Sequence, residues 1–280
     1  MRAATLEMDV RTGDPEGNLA VVLAGLRAAA AEGAGLVALP EMWATGFSPG
    51  IGEEELAAAA RALEAAAAAS AELGLAFVGS GPVASEDLPL PLNRAHVVDA
   101  GRVVASHDKV HLFSPTAEHL AFSAGQAPPP VVELPAVGAR VAPVVCYDLR
   151  FPAVARAAFR GGADVLVVVA QWPEARAPHW GALLRGRAVE TQAHVIGCNR
   201  IGEEEIGRRR MRLRFPGGSD VIGPDGRSVA PVLERSLEAP GRPPSRLTVH
   251  ELDLDRSRKL RREVPVARDE RPERYADWLR

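Results

Sequence analysis

The sequence predicts an α/β fold of two similar halves stacked as a layered sandwich. Three observations predict it. Short runs such as residues 36–40 and 163–170 are apolar but for Asp164, as strands covered on both faces must be. Stretches with apolar residues at helical spacing stand between them. The order strand, helix, strand, helix, strand, hairpin occurs and then roughly repeats, which suits a largely parallel sheet flanked by helices. The 280 residues, 47% hydrophobic, supply a sizeable core. We read one domain over residues 1–254 and a charged tail over 255–280.

The elements follow in order. Residues 3–9 alternate apolar and polar side chains and read as a strand. Asp14 before Pro15 starts a helix, with the aspartate as N-cap and the proline in the first turn. Leu19, Val22, Leu23, Leu26 and Ala30 continue it, and Gly33 ends it. Residues 36–40 are the next strand and 41–49 a loop. Glu53, Glu54 and Glu55 place acids at the positive end of an alanine-rich helix that Gly74 stops. Residues 75–80 form a strand, and 94–99 with 102–107 flank Asp99-Ala100-Gly101 as a hairpin. Residues 140–146 run as a strand straight into a cysteine. A helix over Pro152–Arg160, a strand over 163–170, a helix over 178–193 and a strand over His194–Asn199 come next. A second hairpin is expected from 219–222 and 227–232 around Pro224-Asp225-Gly226, and a last strand over 247–254. The tail, with 15 of 26 residues charged, reads as solvated, with a subunit interface as its use.

Charge and cysteine usage narrow the function. Basic and acidic residues number 33 and 36, for a net charge of −3, which argues against a general nucleic-acid or anionic-membrane binder. Two cysteines cannot make a disulfide framework, and a cytoplasmic setting is expected. No apolar run is long enough to span a bilayer, and the N-terminus lacks a signal-peptide apolar run. The only lysines are Lys109 and Lys259. A lysine retained where arginine otherwise supplies positive charge points to a need for a compact ammonium at Lys109. Chance is the alternative, and the better account of Lys259.

Three strand ends each deliver a reactive residue into a loop: Glu41 after Leu39-Pro40, Lys109 within His107-Asp108-Lys109-Val110-His111, and Cys146 after Val144-Val145. Ligands of α/β folds bind beyond the carboxyl ends of strands, so the three are candidates to converge. A cation lowers a cysteine's pKa, and a lysine can later hold an oxyanion. A carboxylate can take the thiol proton, return it to the leaving group and activate water. That set describes hydrolysis through a thioester. A packed, inert thiol is the alternative for Cys146.

Four stretches resemble the nitrilase superfamily of carbon–nitrogen hydrolases: Leu39-Pro40-Glu41-Met42-Trp43-Ala44-Thr45-Gly46-Phe47, Asp108-Lys109-Val110-His111-Leu112-Phe113, Val145-Cys146-Tyr147-Asp148-Leu149-Arg150-Phe151-Pro152 and Cys198-Asn199-Arg200-Ile201-Gly202. The resemblance implies a four-layer α-β-β-α sandwich, two pseudo-symmetric halves, and a homodimer or higher homo-oligomer. It implies Glu41 as general base, Lys109 as oxyanion-stabilising lysine, Cys146 as nucleophile and Glu118 as a second, substrate-positioning glutamate. The Tyr147 N–H would complete the oxyanion hole. No cofactor and no metal are implied, and the partner is a small-molecule amide. Gln171-Trp172-Pro173, His179-Trp180 and Arg187-Ala188-Val189-Glu190 resemble the omega-amidase branch, which hydrolyses the terminal amide of 2-oxo dicarboxylic acid monoamides such as 2-oxoglutaramate.

Such a substrate carries a carboxylate, for which Arg150 is the candidate clamp, with Trp172, His179 and Phe47 lining the pocket. The alternatives are that Arg150 pairs with Asp148 or Glu190, and that Trp172 is core. Two features depart from the branch: Glu7 where a glutamine is expected, and residues 202–218, where Glu203, Glu204 and Glu205 precede five arginines among 208–214. Those arginines either favour an acidic substrate, belong to a solvated loop whose charges pair with each other, or meet another subunit. N-carbamoyl amines, short aliphatic amides, nitriles and a catalytically silent scaffold remain alternatives. A histidine base or a metal at His107 and His111 finds little support, since zinc wants three or four ligands. Cys198 reads as packed, and Gly161-Gly162 makes no phosphate loop.

Overall fold

The computed structural model describes residues 1–48, 50–206 and 210–275. Two sheets carry the fold. The first contains, in spatial order, β13 (Pro231–Leu237), β14 (Ser245–Glu251), β1 (Arg2–Glu7), β2 (Leu36–Ala38), β3 (Ala76–Val83), β4 (Leu92–Asp99) and β5 (Arg102–Asp108). The second contains β12 (Asp220–Ile222), β9 (His194–Asn199), β8 (Val165–Ala170), β7 (Ala139–Val145) and β6 (Val132–Leu134). β1, β2 and β3 run parallel, as do β7, β8 and β9. Each parallel trio is bordered by antiparallel strands: β14 and β4 in one sheet, β6 and β12 in the other. This is the expected pseudo-symmetry.

Side-chain alternation explains the layers. On β2, Leu36 and Ala38 face the second sheet, whereas Val37 joins Leu6, Phe77 and Val98 under helices α1 (Pro15–Ala31) and α2 (Glu53–Leu73). The inner faces of the two sheets share one core, in which Val78 and Val97 meet Val141 and Val165. Helices α3 (Pro152–Arg160) and α4 (Ala177–Thr191) cover the outer face of the second sheet with Val154, Ala158, Trp180 and Leu184. The order is helix, sheet, sheet, helix. Asp14 caps α1 by accepting from the Gly17 N–H at 3.0 Å, and Gly74 closes α2 in the left-handed conformation.

Three expectations need correction. The turn at residues 224–226 does close a short antiparallel pairing, with an Ile222–Ser228 bridge and the Gly223 and Val229 N–H groups donating to the Arg227 and Val221 carbonyls at 2.8 and 2.7 Å, but the second arm ends there and does not run on to residue 232. β12 pairs with β9, while the chain after the turn crosses over and β13 pairs with β14 on the edge of the first sheet. Residues 202–218 are not an irregular loop: β10 (Ile201–Ile206) and β11 (Met211–Pro216) make an antiparallel hairpin, with Arg208 and Arg209 outside the described residues. Nor is the start of the tail free in solvent. Helix α5 (Leu254–Glu263) docks on its own chain, where Arg261 donates to the Ala163 and Thr191 carbonyls at 2.6 and 3.1 Å and the Ser257 hydroxyl meets His194 Nδ1 at 3.2 Å. Short helices α6 (Val266–Asp269) and α7 (Pro272–Tyr275) follow, and residues 276–280 lie outside the described residues. Among the described residues, no helix is long and apolar enough to cross a membrane.

Candidate active site

The parallel strands of both sheets end on the same side of the sandwich, and a pocket opens there. Its lining includes Glu41, Phe47, Lys109, Glu118, Cys146, Tyr147, Arg150 and Trp172, all singled out from sequence, around about 500 Å³ of empty space, open mouth included.

Each reactive side chain is delivered by a local device. Leu39 continues the pairing of β2 by donating to the Val78 carbonyl at 2.8 Å, but Pro40 has no N–H to extend the ladder. The chain leaves the sheet there, and Glu41 is aimed inward by the turn whose next residue, Met42, has φ 50°. Lys109 follows β5, and its N–H donates to the Asn93 carbonyl at 2.9 Å. Gly125 returns onto that strand end so closely that a Cβ would stand 2.3 Å from the Asp108 carbonyl oxygen, which only glycine permits. Cys146 sits where β7 turns abruptly into a short 3-10 helix, with φ 44°. An L-residue held in that region stores strain of about 1–3 kcal/mol, a cost that commonly marks a functional position.

The closed end is a saturated polar network. Lys109 Nζ donates to Glu41 Oε1 at 2.8 Å and to both oxygens of Glu118 at 2.9 and 2.8 Å. Glu41 also accepts from Asn93 Nδ2 at 2.8 Å and from the Gln171 N–H at 3.0 Å, while Gln171 Nε2 donates back to the Glu41 carbonyl at 2.9 Å. Gln171 follows β8, so these bonds tie the ends of the two sheets together. Glu118 accepts from the Phe113 N–H at 2.6 Å, which fixes the second carboxylate.

Charge state follows from this geometry. Burial alone would lower the Lys109 ammonium, but the Glu118 and Glu41 carboxylates outweigh it and hold its pKa well above the ordinary lysine value. Burial, with Glu41 nearby, pushes the Glu118 carboxyl up. Burial also pushes the Cys146 thiol well above its ordinary value, helped by the Glu41 charge and a hydrogen bond to Glu41, against the opposing pull of Lys109. The lowering of the thiol pKa expected from the neighbouring cation is therefore outweighed. Lys109 is already shared between two carboxylates, and a thiolate would be a third negative charge in a buried pocket. The resting nucleophile is a thiol beside a carboxylate.

A second cluster braces the first. Asp148, two residues after Cys146 and fully buried, accepts from the His111 N–H at 2.9 Å and the Val110 N–H at 3.3 Å, and meets His111 Nδ1 at 2.7 Å and His107 Nε2 at 3.3 Å. These partners bracket Lys109 in the chain, so Asp148 clips the cysteine turn to the lysine loop. Burial would raise the Asp148 carboxyl, but its hydrogen bonds to His107 and the histidine charge hold it below the ordinary value. His107 and His111 serve this clip. Among the described residues, no group of three or more potential ligands could hold a metal.

The mouth is built differently. Arg150 lies 5.5 Å from the Trp172 ring centroid and 5.8 Å from that of Tyr147, with Nη2 3.2 Å from His179 Nδ1. It pairs with neither Asp148, which holds the histidines, nor Glu190, which takes Arg187 at 2.7 Å. His179 is exposed and is not among the lining residues; it steadies Arg150 from outside. Trp172 is both core and lining, since it packs on Trp180 at 5.4 Å and faces the pocket. Phe47 lies 5.8 Å from Lys109 Nζ. The β10–β11 hairpin adds Ile206, Leu213 and Phe215 to the wall. On its outer face Arg212 pairs with Glu203 at 2.6 Å, Arg210 with Glu205 at 2.8 Å and Arg214 with Glu174 at 3.5 Å, so these described arginines meet acids rather than the pocket. Fully buried Arg200 roots the hairpin through Glu204 at 2.6 Å, Asp9 at 3.3 Å and Gln171 Oε1 at 3.0 Å. Glu7 accepts from the Ser219 N–H at 2.6 Å and lies 3.3 Å from Arg246, away from the reacting groups.

Sequence reasoning missed Asn93 and Arg176, and named Gln171 only within a branch-like stretch, without a role. Gln171 stands just past a strand end, as Glu41 and Cys146 do, and the same rule applied to β8 would have singled it out. Asn93 and Arg176 carry no such signal.

Comparison with known proteins agrees with this geometry. The family model described as carbon–nitrogen hydrolase matches residues 2–262. The omega-amidase YafV of Escherichia coli K12 is 38% identical over 201 residues, 71% of this chain and 72% of that protein. The 2-oxoglutaramate amidase of Bacillus subtilis is 31% identical over 243 residues, 86% and 87% of the two chains. A variant of the Nesterenkonia sp. AN1 amidase, solved with the acetamide moiety of fluoroacetamide covalently added at its active-site cysteine, superposes with a TM-score of 0.80 at 27% identity over 99% of this chain and 96% of that one.

Proposed function

We propose a specific reaction for this chain, which belongs to the carbon–nitrogen hydrolase family and is an enzyme that hydrolyses non-peptide amides: removal of the terminal amide of a small carboxylate-bearing substrate, a 2-oxo dicarboxylic acid monoamide such as 2-oxoglutaramate, as ammonia. The observation that carries it is the pocket's polarity. A thiol, a carboxylate and an ammonium meet at the closed end, and an arginine with no carboxylate partner among the described residues stands at the mouth. The names of the two amidase relatives agree with that substrate class.

The amide enters with its carbonyl against Cys146. The sulfur attacks the carbonyl carbon while Glu41 takes the thiol proton, so no free thiolate has to exist beforehand. The oxygen that becomes negative is held by the Lys109 ammonium and the Tyr147 N–H. The C–N bond breaks as Glu41 returns its proton to the nitrogen, which leaves as ammonia and a thioester remains. Glu41 then takes a proton from water, the hydroxide oxygen adds to the thioester, and the C–S bond breaks with the proton returned to sulfur. Glu118 keeps Lys109 pointed into the pocket and borders the substrate. Arg150 takes the far carboxylate, a charge-assisted contact that a planar guanidinium makes bidentately, and Phe47 and Trp172 pack against the carbon chain. No step needs a cofactor.

The test is ammonia release from 2-oxoglutaramate, 2-oxosuccinamate, an N-carbamoyl amino acid, butyramide and a nitrile, with wild type and Cys146→Ala side by side. We expect preference for the 2-oxo amides and a loss on the order of 10⁴-fold or more in the variant, without unfolding. Preference for another compound would discard the substrate reading and keep the chemistry. Retained turnover in the variant would discard the nucleophile.

A further inference from the structure

The rim of the pocket holds a second arginine. Arg176, in the turn before α4, lies 5.3 Å from the Phe113 ring centroid and lines the pocket. Phe113 stands edge-on to Tyr147 at 5.0 Å, Tyr147 carries Arg150, Arg150 covers Trp172, and Trp172 Nε1 donates to the Arg176 carbonyl at 2.8 Å. The rim is thus a closed ring of Trp172, Arg150, Tyr147, Phe113 and Arg176. Two of its five members are guanidinium cations, and none is an acid. Among the described lining residues the only carboxylates are Glu41 and Glu118, both bound to Lys109 at the closed end. Glu174, the acid two residues before Arg176, is held by Arg214.

We infer that Arg176 is a second specificity-determining residue, acting with Arg150 so that an amide with a 2-oxo acid far end is admitted and the matching 2-amino acid amide is turned away. This rests on the amidase reading above and deepens it. The far end of 2-oxoglutaramate offers acceptors only: two carboxylate oxygens and a keto oxygen. Two guanidinium forks supply donors for all three, with the carboxylate on one and the keto oxygen in reach of the other. Glutamine has the same length and the same terminal amide, but carries an ammonium where the keto oxygen stands. That cation would lose water against two arginines and find no carboxylate to receive it, since the two acids in the pocket are spoken for by Lys109. Discrimination of this kind arises from a repulsive element as much as from an attractive one. The aromatic faces under each guanidinium hold the cations in place without neutralising them.

Steady-state kinetics on the full chain test this, with 2-oxoglutaramate, glutamine and butyramide as substrates of wild type, Arg176→Gln, Arg176→Lys and Arg176→Glu. In Arg176→Gln the ratio of kcat/KM for 2-oxoglutaramate to that for butyramide should fall about tenfold, mostly through KM, because a ground-state contact to the acid end is lost. Arg176→Lys keeps the cation and should keep the rejection of glutamine. Arg176→Glu supplies the missing acid, and the glutamine to 2-oxoglutaramate ratio should rise on the order of a hundredfold. If wild type turns over 2-oxoglutaramate and no Arg176 variant moves either ratio, the inference is overturned while the substrate reading stands. If wild type takes butyramide and ignores 2-oxoglutaramate, the substrate reading fails and this inference with it. Thermal melts of each variant identify any that loses activity through misfolding, and Arg176→Lys then decides.

Discussion

At the closed end of the pocket, Lys109 and its two carboxylates are almost wholly buried, and each charge has a partner within 2.9 Å. At the mouth, Arg150 and Arg176 are half-exposed, lean on aromatic rings and hold no acid among the described residues. The closed end is assembled from both sheets and bolted by backbone N–H groups, while the mouth is assembled from side chains, a 3-10 turn and a hairpin outside either main sheet. The difference teaches where each property of an amidase is stored. Chemistry sits where no group can change without leaving another unpaired. Substrate choice sits where side chains can be exchanged with little effect on the rest.

The sharpest way to break this contrast is at Lys109. Lys109→Arg retains a positive charge, but the planar fork is larger and cannot occupy the point between three carboxylate oxygens. We expect kcat to fall on the order of 10²–10³-fold, the loss typical of one oxyanion-stabilising group. We expect a stability loss of about 1–3 kcal/mol from overpacking, read by urea denaturation. Near-normal turnover would mean that the closed end is as adjustable as the mouth.

A middle-sized effect concerns pH. A group whose pKa is raised on folding stays protonated in the native state while the unfolded chain ionises, so it costs stability as pH rises. Cys146 and Lys109 are both raised. Their contributions are fully present below the unfolded values and fade as pH climbs through the alkaline range past them. Wild type should therefore melt progressively earlier above the ordinary thiol pKa, and Cys146→Ala should show a shallower alkaline decline. Cys198 is raised by burial too but is common to both proteins, so the difference curve isolates Cys146. Parallel curves would count against a protonated resting nucleophile.

The smallest effect is expected on the outer face of the hairpin. Glu203 and Arg212 are 46% and 77% exposed, and Glu203→Gln should change stability by under about 1 kcal/mol. Its KM for the preferred amide should move less than twofold. A larger shift in KM would show that the surface pairs, and not only Leu213 and Phe215 beneath them, shape the mouth.

The same division governs what could be read from the chain. The start of α1, the whole of α3 and the body of β8 follow from an aspartate–proline cap, a proline-led helix and an unbroken apolar run. Glu41, Lys109 and Cys146 were legible because strand ends and family-like stretches both pointed to them, and Glu118 through the family resemblance alone. The hairpin was not, because on β11 the residues that alternate are arginines against Met211, Leu213 and Phe215, and the charges read as an irregular, solvated loop. β13 was misplaced because a genuine turn does not say which sheet the next strand will join. Arg176 was missed because its ring partner Phe113 lies 63 residues away, and contact across that distance leaves no local pattern. The Asp148 clip was half-visible: its neighbours were noted, but not that a single carboxylate could serve both histidines.

The protonated, buried state of Cys146 has a further consequence, for the protein's durability. Oxidation by peroxide starts from an accessible thiolate and climbs to sulfinic and sulfonic acids that the cell cannot generally reverse. Cys146 lines the pocket and can be reached, but at rest burial and the Glu41 charge favour the thiol over the thiolate, while Cys198 is fully buried. The sulfur is called into its reactive form only when an amide carbonyl stands ready to receive it, so the enzyme carries a nucleophile through an oxidising insult with its reactivity stored rather than displayed.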